Sequence, residues 1–589
     1  MPAADAKTAP AAEPATRLRA LFPPARWLPG YRAAWLRNDA AAGVTLAAYA
    51  IPVSLAYASL AGLPPQHGIY CYLVAGIAYA LFGTSRQLAV GPTSAISMLV
   101  GTTVAGMAAG DPARWVQIAA LVAMLFAALS IVAWALKLSS LVSFISETVL
   151  VGFKAGAAFT IAMTQLPKLF GVKGGGEHFF ERVATLAGQL PDTNPVVLGF
   201  GLVAIALLVA GEKLIPSRPV ALFVVIASIL ALTFTPLSHY AFKTVGLLPV
   251  GLPEIALPSL RASDVDGVIP LALACFLLAY IEGVSAARAL AQKNGYEIDA
   301  RQELFALGAA NLAASLGQGY PVAGGLSQST VNDKAGARTP LALVFASVTI
   351  GLCLLFLTGL LKNLPDVVLA AIVLVAVKGL VNVAELRRIW ALSRMEFAIA
   401  MVAFAGVLLL GILKGVLLAA IVSLLLLIRR AAQPHVARLG RVPGTSRFSD
   451  VGRPPENESV PGALIVRVEA GLFYFNAGHV RDQVRSLLAA SGDDLKLVVW
   501  DLSTSPNVDL AGARLVGDLQ REVAARGAVL RVVDAHSSVR DLIRKVVGTS
   551  VGEVSRRLSI EDALAQTAPG PRQPPEGAGA PVKTPRERT

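Results

Sequence analysis

Charge is scarce in this sequence. Of 589 residues only 15% are Asp, Glu, Lys or Arg, where soluble domains carry roughly 25%. The deficit excludes an ordinary soluble protein and makes lipid the solvent for much of the chain. Cysteine is nearly absent as well. Cys71, Cys275 and Cys353 each stand alone in an apolar run, without a CxxC pair, which excludes a disulfide framework and a thiolate metal site. The six histidines are scattered singly, and no GxSxG, HExxH or Walker A motif occurs. Nothing in the residues therefore points to an enzyme, a cofactor or a metal centre. The first 39 residues lack an apolar core with a small-residue cleavage site, so they do not resemble a secretory signal.

What is present is hydrophobic length. Hydrophobic residues make up 55% of the chain and concentrate between Ala40 and Ile428, in runs broken by short polar hinges. A hydrocarbon core of about 30 Å needs about 20 apolar residues per helix. The runs predict spans near 40–60, 67–82, 93–108, 113–136, 143–168, 194–211 and 218–236. After a polar, Pro-punctuated stretch at 237–267, others follow near 268–290, 300–317, 326–336, 339–361, 365–381, 395–411 and 413–430. The net charge of +13 lies largely beside this region, at Arg17, Arg19, Arg26, Arg32 and Arg37 before it and Arg429 and Arg430 after it. Such flanks mark the cytoplasmic side, so both termini are expected in the cytoplasm, joined by an even number of crossings of the cell membrane. No basic stripe with interleaved aromatics suggests nucleic acid.

Two of these segments are too short to span. QLAVGPTSAISMLVG (87–101) and QGYPVAGGLSQSTVNDKAGARTPLAL (318–343) share a plan, and each is third in its set of seven. A few extended residues (Leu88–Val90; Tyr320–Ala323) lead to a Gly/Pro break and then Ser or Thr at a fresh helix start. Pro92 suits a first helical turn but no helix interior. Gly324 and Gly325 allow close backbone approach. Interrupted apolar segments at matching places in two halves point to a transporter's midplane site. Beyond the apolar region, 433–460 is a polar linker by composition. From 461 to 567 strands alternate with helical patterns: ALIVRVEA (463–470), a short strand at 472–475, KLVVWDLS (496–503) and AVLRVVDA (528–535), with helices near 477–490, 509–525 and 537–546. This predicts a small mixed sheet covered by helices. Residues 568–589 are Pro/Gly-rich and charged, as in a disordered tail.

Several long stretches resemble the SulP sulfate permease and anion exchanger family followed by a STAS domain. They are AGVTLAAYAIPVSLAYASLAGLPPQHGIY (42–70), GTSRQLAVGPTSAIS (83–97), GFKAGAAFTIAMTQLPKLFG (152–171), IEGVSAARALAQKNGYEIDARQELFALGAANLAAS (281–315) and the 318–343 segment. The resemblance runs from about Arg37 to Ala565. It implies a membrane all-α transport domain at 40–432, following a cytosolic arm at 1–39. The domain would hold fourteen segments in two inverted repeats of seven (about 40–236 and 268–430) with two half-helices, a core part moving against a gate part, and an anion site between the half-helix starts. It also implies a homodimer and a cytosolic α/β STAS module for regulation. Two departures touch the implied site. Val53 stands where the family often has Gln, and Gln328 where it often has Arg. In VDLAGAR (508–514) Leu510 occupies the position of a phosphorylatable Ser in related bacterial regulators, which argues against a phospho-switch.

The expected substrate is a small inorganic or carboxylate anion, moved with a proton or sodium or by exchange. The substrate-binding candidates are Val53 and Tyr57, which share one face of the first span, with Thr93, Ser94 and Ala95 at the first half-helix start and Leu326, Ser327 and Gln328 at the second. A helix N-terminus behaves as roughly half a positive charge with free N–H donors. Glu282 lies in the apolar run Leu271–Ala287, and an intramembrane carboxylate is a functional hypothesis by default. With Ser285 it is the candidate for cation coupling; the alternative is an internal ion pair with Lys154 or Arg288. Lys154 itself is expected to be structural, and Arg338 a cytosol-facing anchor. A passive anion channel, a nucleobase permease of the same plan and a membrane-anchored sensor are the competing readings.

Overall fold

Each apolar run becomes a helix, and each Gly/Pro or polar hinge becomes a break. The structure is a computed structural model and describes residues 22–566 apart from 109, 140–146, 177, 216–218, 241, 453–455, 493 and 549–557. The arm up to residue 21 and the expected disordered tail lie outside the described residues. A short helix α1 (Pro24–Trp27) precedes the first series: α2 (Ala33–Leu60), α3 (Gln66–Phe82), α4 (Ser94–Ala108), α5 (Pro112–Ala135), α6 (Glu147–Phe170), α7 (Phe179–Gln189), α8 (Pro195–Leu214) and α9 (Val220–Phe234). The second series is α10 (Ala262–Lys293), α11 (Ala300–Leu316), α12 (Leu326–Lys334), α13 (Leu341–Phe356), α14 (Asp366–Lys378), α15 (Val383–Leu392), α16 (Arg394–Leu410) and α17 (Ile412–Ala432).

Helices α7 and α15 were not anticipated. Each is short, amphipathic and follows the fifth helix of its series, with Phe180 on α7 and Trp390 on α15 exposed. Neither contains the continuous apolar run that marks a span, which is why a search for such runs passes over them. Among the described residues α2, α5, α6, α8 and α10 are individually long and apolar enough to cross a membrane. The stretch Asp366–Leu392 also qualifies by composition, but the break between α14 and α15 divides it. Leu202, Leu207, Phe223, Ile226 and Leu230 of α8 and α9 are exposed, an apolar surface that suits lipid and not water. This is a multi-pass membrane protein.

Hydrogen bonds between helix ends sort those ends onto two faces. On one, Asp39 near the start of α2 accepts from the backbone N–H groups of Arg338 and Thr339, just before α13. There Lys293, ending α10, meets Asp333 of α12 at 2.6 Å, and Glu303 of α11 accepts from Thr84, just past α3. On the other face Trp115, starting α5, donates to the Ala61 carbonyl after α2, and Arg114 meets Asp264 at the start of α10. Thus α2 and α10, which open the two series, run in opposite senses.

Packing divides the helices into two bundles. In the first, α11 lies on α5 and α3, α13 on α2 and α3, and α10 on α5, α4 and α12. In the second, α6 lies on α16, α14 and α8, with α9 beside α8 and α14; the two meet where α2 packs on α9 and α14 and where α4 packs on α6. Gly152 of α6 illustrates the closeness: a Cβ there would overlap the Ala400 carbonyl oxygen of α16.

The second compact unit begins near Leu425. It is a five-stranded sheet in the order β4-β3-β5-β6-β7, with β3 (Val436–Arg441), β4 (Phe448–Asp450), β5 (Ala463–Val468), β6 (Leu497–Asp501) and β7 (Val529–Val533). The β5-β6-β7 part is parallel and the β3 and β4 pairings are antiparallel. Alternate residues serve two cores. Leu464, Val466, Val498 and Trp500 pack with α18 (Ala477–Ala489), α19 (Leu510–Ala525) and α20 (Ser537–Val547), while Ile465, Leu497 and Val499 pack with α21 (Ile560–Ala565). The linker expectation for 433–460 is corrected here, because that stretch supplies β3 and β4. Only Ala437 and Leu439 of β3 are well covered apolar positions, and Arg, Gly and Pro around them hide the alternation. The short strand expected at 472–475 reduces to one bridge between Leu472 and Val508.

Candidate functional site

Two extended dipeptides meet within the first bundle. β1 (Val90–Gly91) pairs antiparallel with β2 (Ala323–Gly324), with Val90 opposite Gly324 and Gly91 opposite Ala323. The pairing stays short because Pro92 has no N–H to extend it and Gly325 leads into α12. Gly91 must be glycine, since a Cβ there would overlap the buried Tyr72 ring.

Polar side chains clamp this crossing. Asn311 Nδ2 donates to the Val322 carbonyl (3.1 Å) while its Oδ1 accepts from Val322 N–H (2.9 Å). Ser329 Oγ accepts from Ala89 N–H (2.8 Å) and donates to the Gly325 carbonyl (2.7 Å). Gln328 Nε2 donates to the carbonyls of Ala89 (3.0 Å) and Ala323 (3.3 Å). Non-helical backbone at membrane depth needs such partners.

α4 and α12 begin directly after the two dipeptides. Gly325, the residue before α12, has no side chain to cap it, so the N–H groups of Leu326, Ser327 and Gln328 at its first turn lack a side-chain cap. Thr93 Oγ1, just before α4, is buried without a hydrogen-bond partner.

A cavity of about 270 Å³ lies against both starts, room on the order of nine waters at about 30 Å³ each. Thr93, Ser94 and Ala95 wall it from one start, and Leu326, Ser327 and Gln328 from the other. Val53 and Tyr57 line it from α2, and Glu282 and Ser285 from α10. All ten residues singled out in the sequence therefore meet in one place.

Others were missed. Tyr49 also lines the cavity, and the Tyr49–Val53–Tyr57 spacing of four would have found it. Lys154 of α6, expected to be structural, lines the cavity too, and its Nζ lies 3.3 Å from Glu282 Oε1. Lys154 and not Arg288 is thus the partner of Glu282. Ala376, Gly379 and Leu380 at the end of α14 complete the wall, and small or apolar residues of this kind carry no local signal. Arg338 contributes its backbone N–H to Asp39 and does not line the cavity.

The electrostatics follow. Two helix starts contribute about one positive unit together, and Lys154 with Glu282 adds none while both are ionised. The site offers N–H and hydroxyl donors under a modest positive field, which suits a small anion.

Comparison with known proteins concerns the chain as a whole. The sulfate permease family profile matches residues 36–403 and the STAS domain profile residues 454–549. A probable sulfate transporter of Mycobacterium tuberculosis is 33% identical over 526 residues, 88% of this chain and 94% of that protein. Sulfate transporter 4.1, a chloroplastic protein of Arabidopsis thaliana, is 32% identical over 570 residues, 92% of this chain and 82% of that one. Among solved structures, the murine Solute Carrier 26 family member A9 anion transporter in its inward-facing state superposes with a TM-score of 0.87 at 23% identity, covering 95% and 96% of the two chains. The transmembrane domain of the cyanobacterial bicarbonate transporter BicA gives a TM-score of 0.57 at 22% identity over 67% of this chain and 98% of that one.

Proposed function

The chain belongs to the sulfate permease family, and we propose that this anion transporter works as a secondary carrier of sulfate, bicarbonate or a related small anion. Transport is driven by proton or sodium entry, or by exchange. The observation that carries this reading is the convergence of two half-helix starts on one cavity, beside the β1–β2 crossing. Each start brings about half a positive charge and free N–H donors without a basic side chain. Thr93, Ser94, Ala95, Leu326, Ser327 and Gln328 form the anion's bed, Val53 and Tyr57 its lateral wall, and Glu282 with Ser285 the cation-linked group.

The opposed senses of α2 and α10 support two inverted repeats, and the two packed bundles support a core part that moves against a gate part. Arg26, Arg32 and Arg37 support a cytoplasmic start of α2. The end of α14 and the later half of α10 wall the cavity, so it lies on the cytoplasmic side of the crossing. The unit from Val436 onward is the STAS module. It is a regulator and assembly element of a homodimer, and no catalytic role attaches to it.

Uptake by purified protein in liposomes, across a panel of anions with imposed pH or sodium gradients, tests this reading. Saturable counterflow of labelled anion is expected. Flux without counterflow marks a channel, nucleobase uptake marks the rival permease, and ligand binding without any flux marks a sensor.

A further inference from the structure

The Lys154–Glu282 pair joins the two bundles. Lys154 stands on α6, which packs on α16, α14 and α8, and Glu282 on α10, which packs on α5, α4, α12 and β2. They meet at 3.3 Å in the wall of the cavity that the helix starts face, with a third of the Lys154 side chain exposed against 13% for Glu282. A pair reaching open space in this way is held loosely, because water or an anion can replace the carboxylate.

We infer that Lys154 determines the charge of the anion this carrier accepts, and that Glu282 holds it in reserve until a proton neutralises the carboxylate. The inference rests on the carrier reading above. With Glu282 ionised, Lys154 is cancelled, and the two helix starts leave about one positive unit, matched to a monovalent anion. When Glu282 takes a proton it becomes a neutral acid. Lys154 is then released and the site holds about two positive units, matched to a dianion such as sulfate. Gln328, standing where the resemblance implies arginine, has both amide hydrogens' direction set by the carbonyls of Ala89 and Ala323 and adds no charge. The charge that an arginine would bring at position 328 comes here from Lys154 on α6.

Neighbouring groups leave Glu282 to Lys154. The other titratable side chains in the cavity are Tyr49 and Tyr57 of α2, and Tyr57 is within electrostatic reach of Glu282. Of the charged groups on elements packed against α10, Arg114 of α5 is bound to Asp264, Asp333 of α12 to Lys293, Glu303 of α11 to Tyr79 and Thr84, and Arg301 of α11 to the Trp134 carbonyl, while Lys334 of α12 does not line the cavity. On α10 itself Arg288 acts on Tyr280 and does not line the cavity.

The test is a charge square built from Lys154→Gln, Glu282→Gln and the double variant, with Lys154→Arg as a conservative control. Binding of sulfate and of nitrate to purified protein is measured by thermal shift between pH 4 and pH 8, alongside flux in liposomes. Parent protein should favour sulfate increasingly as pH falls. Glu282→Gln should favour sulfate at every pH. The double variant should favour nitrate at every pH, and Lys154→Gln should bind appreciably only at low pH, with the same preference for nitrate. Removing Lys154 from the Glu282→Gln background should lower the sulfate-to-nitrate ratio at least about tenfold, as expected for one unit of charge a few ångströms away in a partly desolvated site. Lys154→Arg should retain the parent's pH profile. A folded Lys154→Gln that keeps the parent's ratio and pH profile overturns the assignment, as does a parent that binds neither anion. Binding that follows the square without any flux leaves the Lys154 assignment standing and overturns the carrier reading alone.

Discussion

Asp39 offers a test of how the proposed anion bed is held. Its carboxylate is buried and accepts from Arg338 N–H (2.7 Å), Thr339 N–H (3.1 Å), Thr339 Oγ1 (2.7 Å) and the Tyr31 hydroxyl (3.2 Å). Partial burial and then the Asp39 carboxylate push the Tyr31 hydroxyl up to about 12, so it remains a donor at physiological pH. These bonds fix the start of α2, which carries Val53 and Tyr57, to the link between α12 and α13. Asp39→Ala removes the acceptor and strands two backbone donors and a hydroxyl. At about 1–3 kcal/mol for each buried unsatisfied group, and with partial hydration near the membrane face, the cost is about 3–6 kcal/mol. Asp39→Asn keeps one oxygen for the two N–H groups, and both hydroxyls can turn to accept from its amide, so about 1–2 kcal/mol is expected. Thermal melting followed by size-exclusion chromatography should rank parent above Asn above Ala, with Ala lower by several degrees. Transport by the Asn variant should weaken mainly through KM, because the bed is displaced and no donor is lost. An Ala variant melting within a degree of the parent, or an Asn variant below Ala, would refute the reasoning.

Gly91→Val should abolish transport and lower folded yield, because its Cβ meets the Tyr72 ring. Gly199→Ala, with open space around its Cβ, should leave transport intact and gain up to about 1 kcal/mol of helix stability. Gln328→Arg should raise the sulfate-to-nitrate uptake ratio in liposomes by adding a fixed charge beside both helix starts, while losing the two carbonyl contacts of Gln328 costs about 1–3 kcal/mol of stability; an unchanged ratio in an active variant would place position 328 away from the anion. Deleting residues 461–589 should yield aggregating protein, since β3 and β4 lose their partner strand and present open edges. Deleting from residue 436 should yield monodisperse protein with residual flux, and equal behaviour of the two truncations on size-exclusion chromatography would contradict the strand assignment.

The residues that line the cavity from the two helix starts were legible because their signals are local. Pro92, Gly324 and Gly325 interrupt apolar runs, and the Ser and Thr after them announce helix starts that no continuous span would need. The same holds for Glu282, whose charge stands out against Leu271–Ala287. Lys154 was equally visible as a charge in an apolar run, but its importance depends on what lies opposite, and no spacing along the chain reports that. Tyr49 lay one turn from a recognised pair and was missed for want of extending a period already in hand.

Composition and periodicity by themselves determined the membrane class, the placement of the long helices, the two interrupted segments and the α/β character of the C-terminal unit. Each depends on interactions within a few residues, or on transfer of one segment into lipid. Tertiary structure alone decided that β1 and β2 pair, that Gln328 turns its amide to backbone carbonyls, that β3 and β4 complete the sheet, and that Glu282 meets Lys154 and not Arg288. Those outcomes join residues from 26 to 239 positions apart. Arg288 is near Glu282 in sequence, but only the packing of α6 on a different bundle from α10 sets Lys154 across the cavity from it.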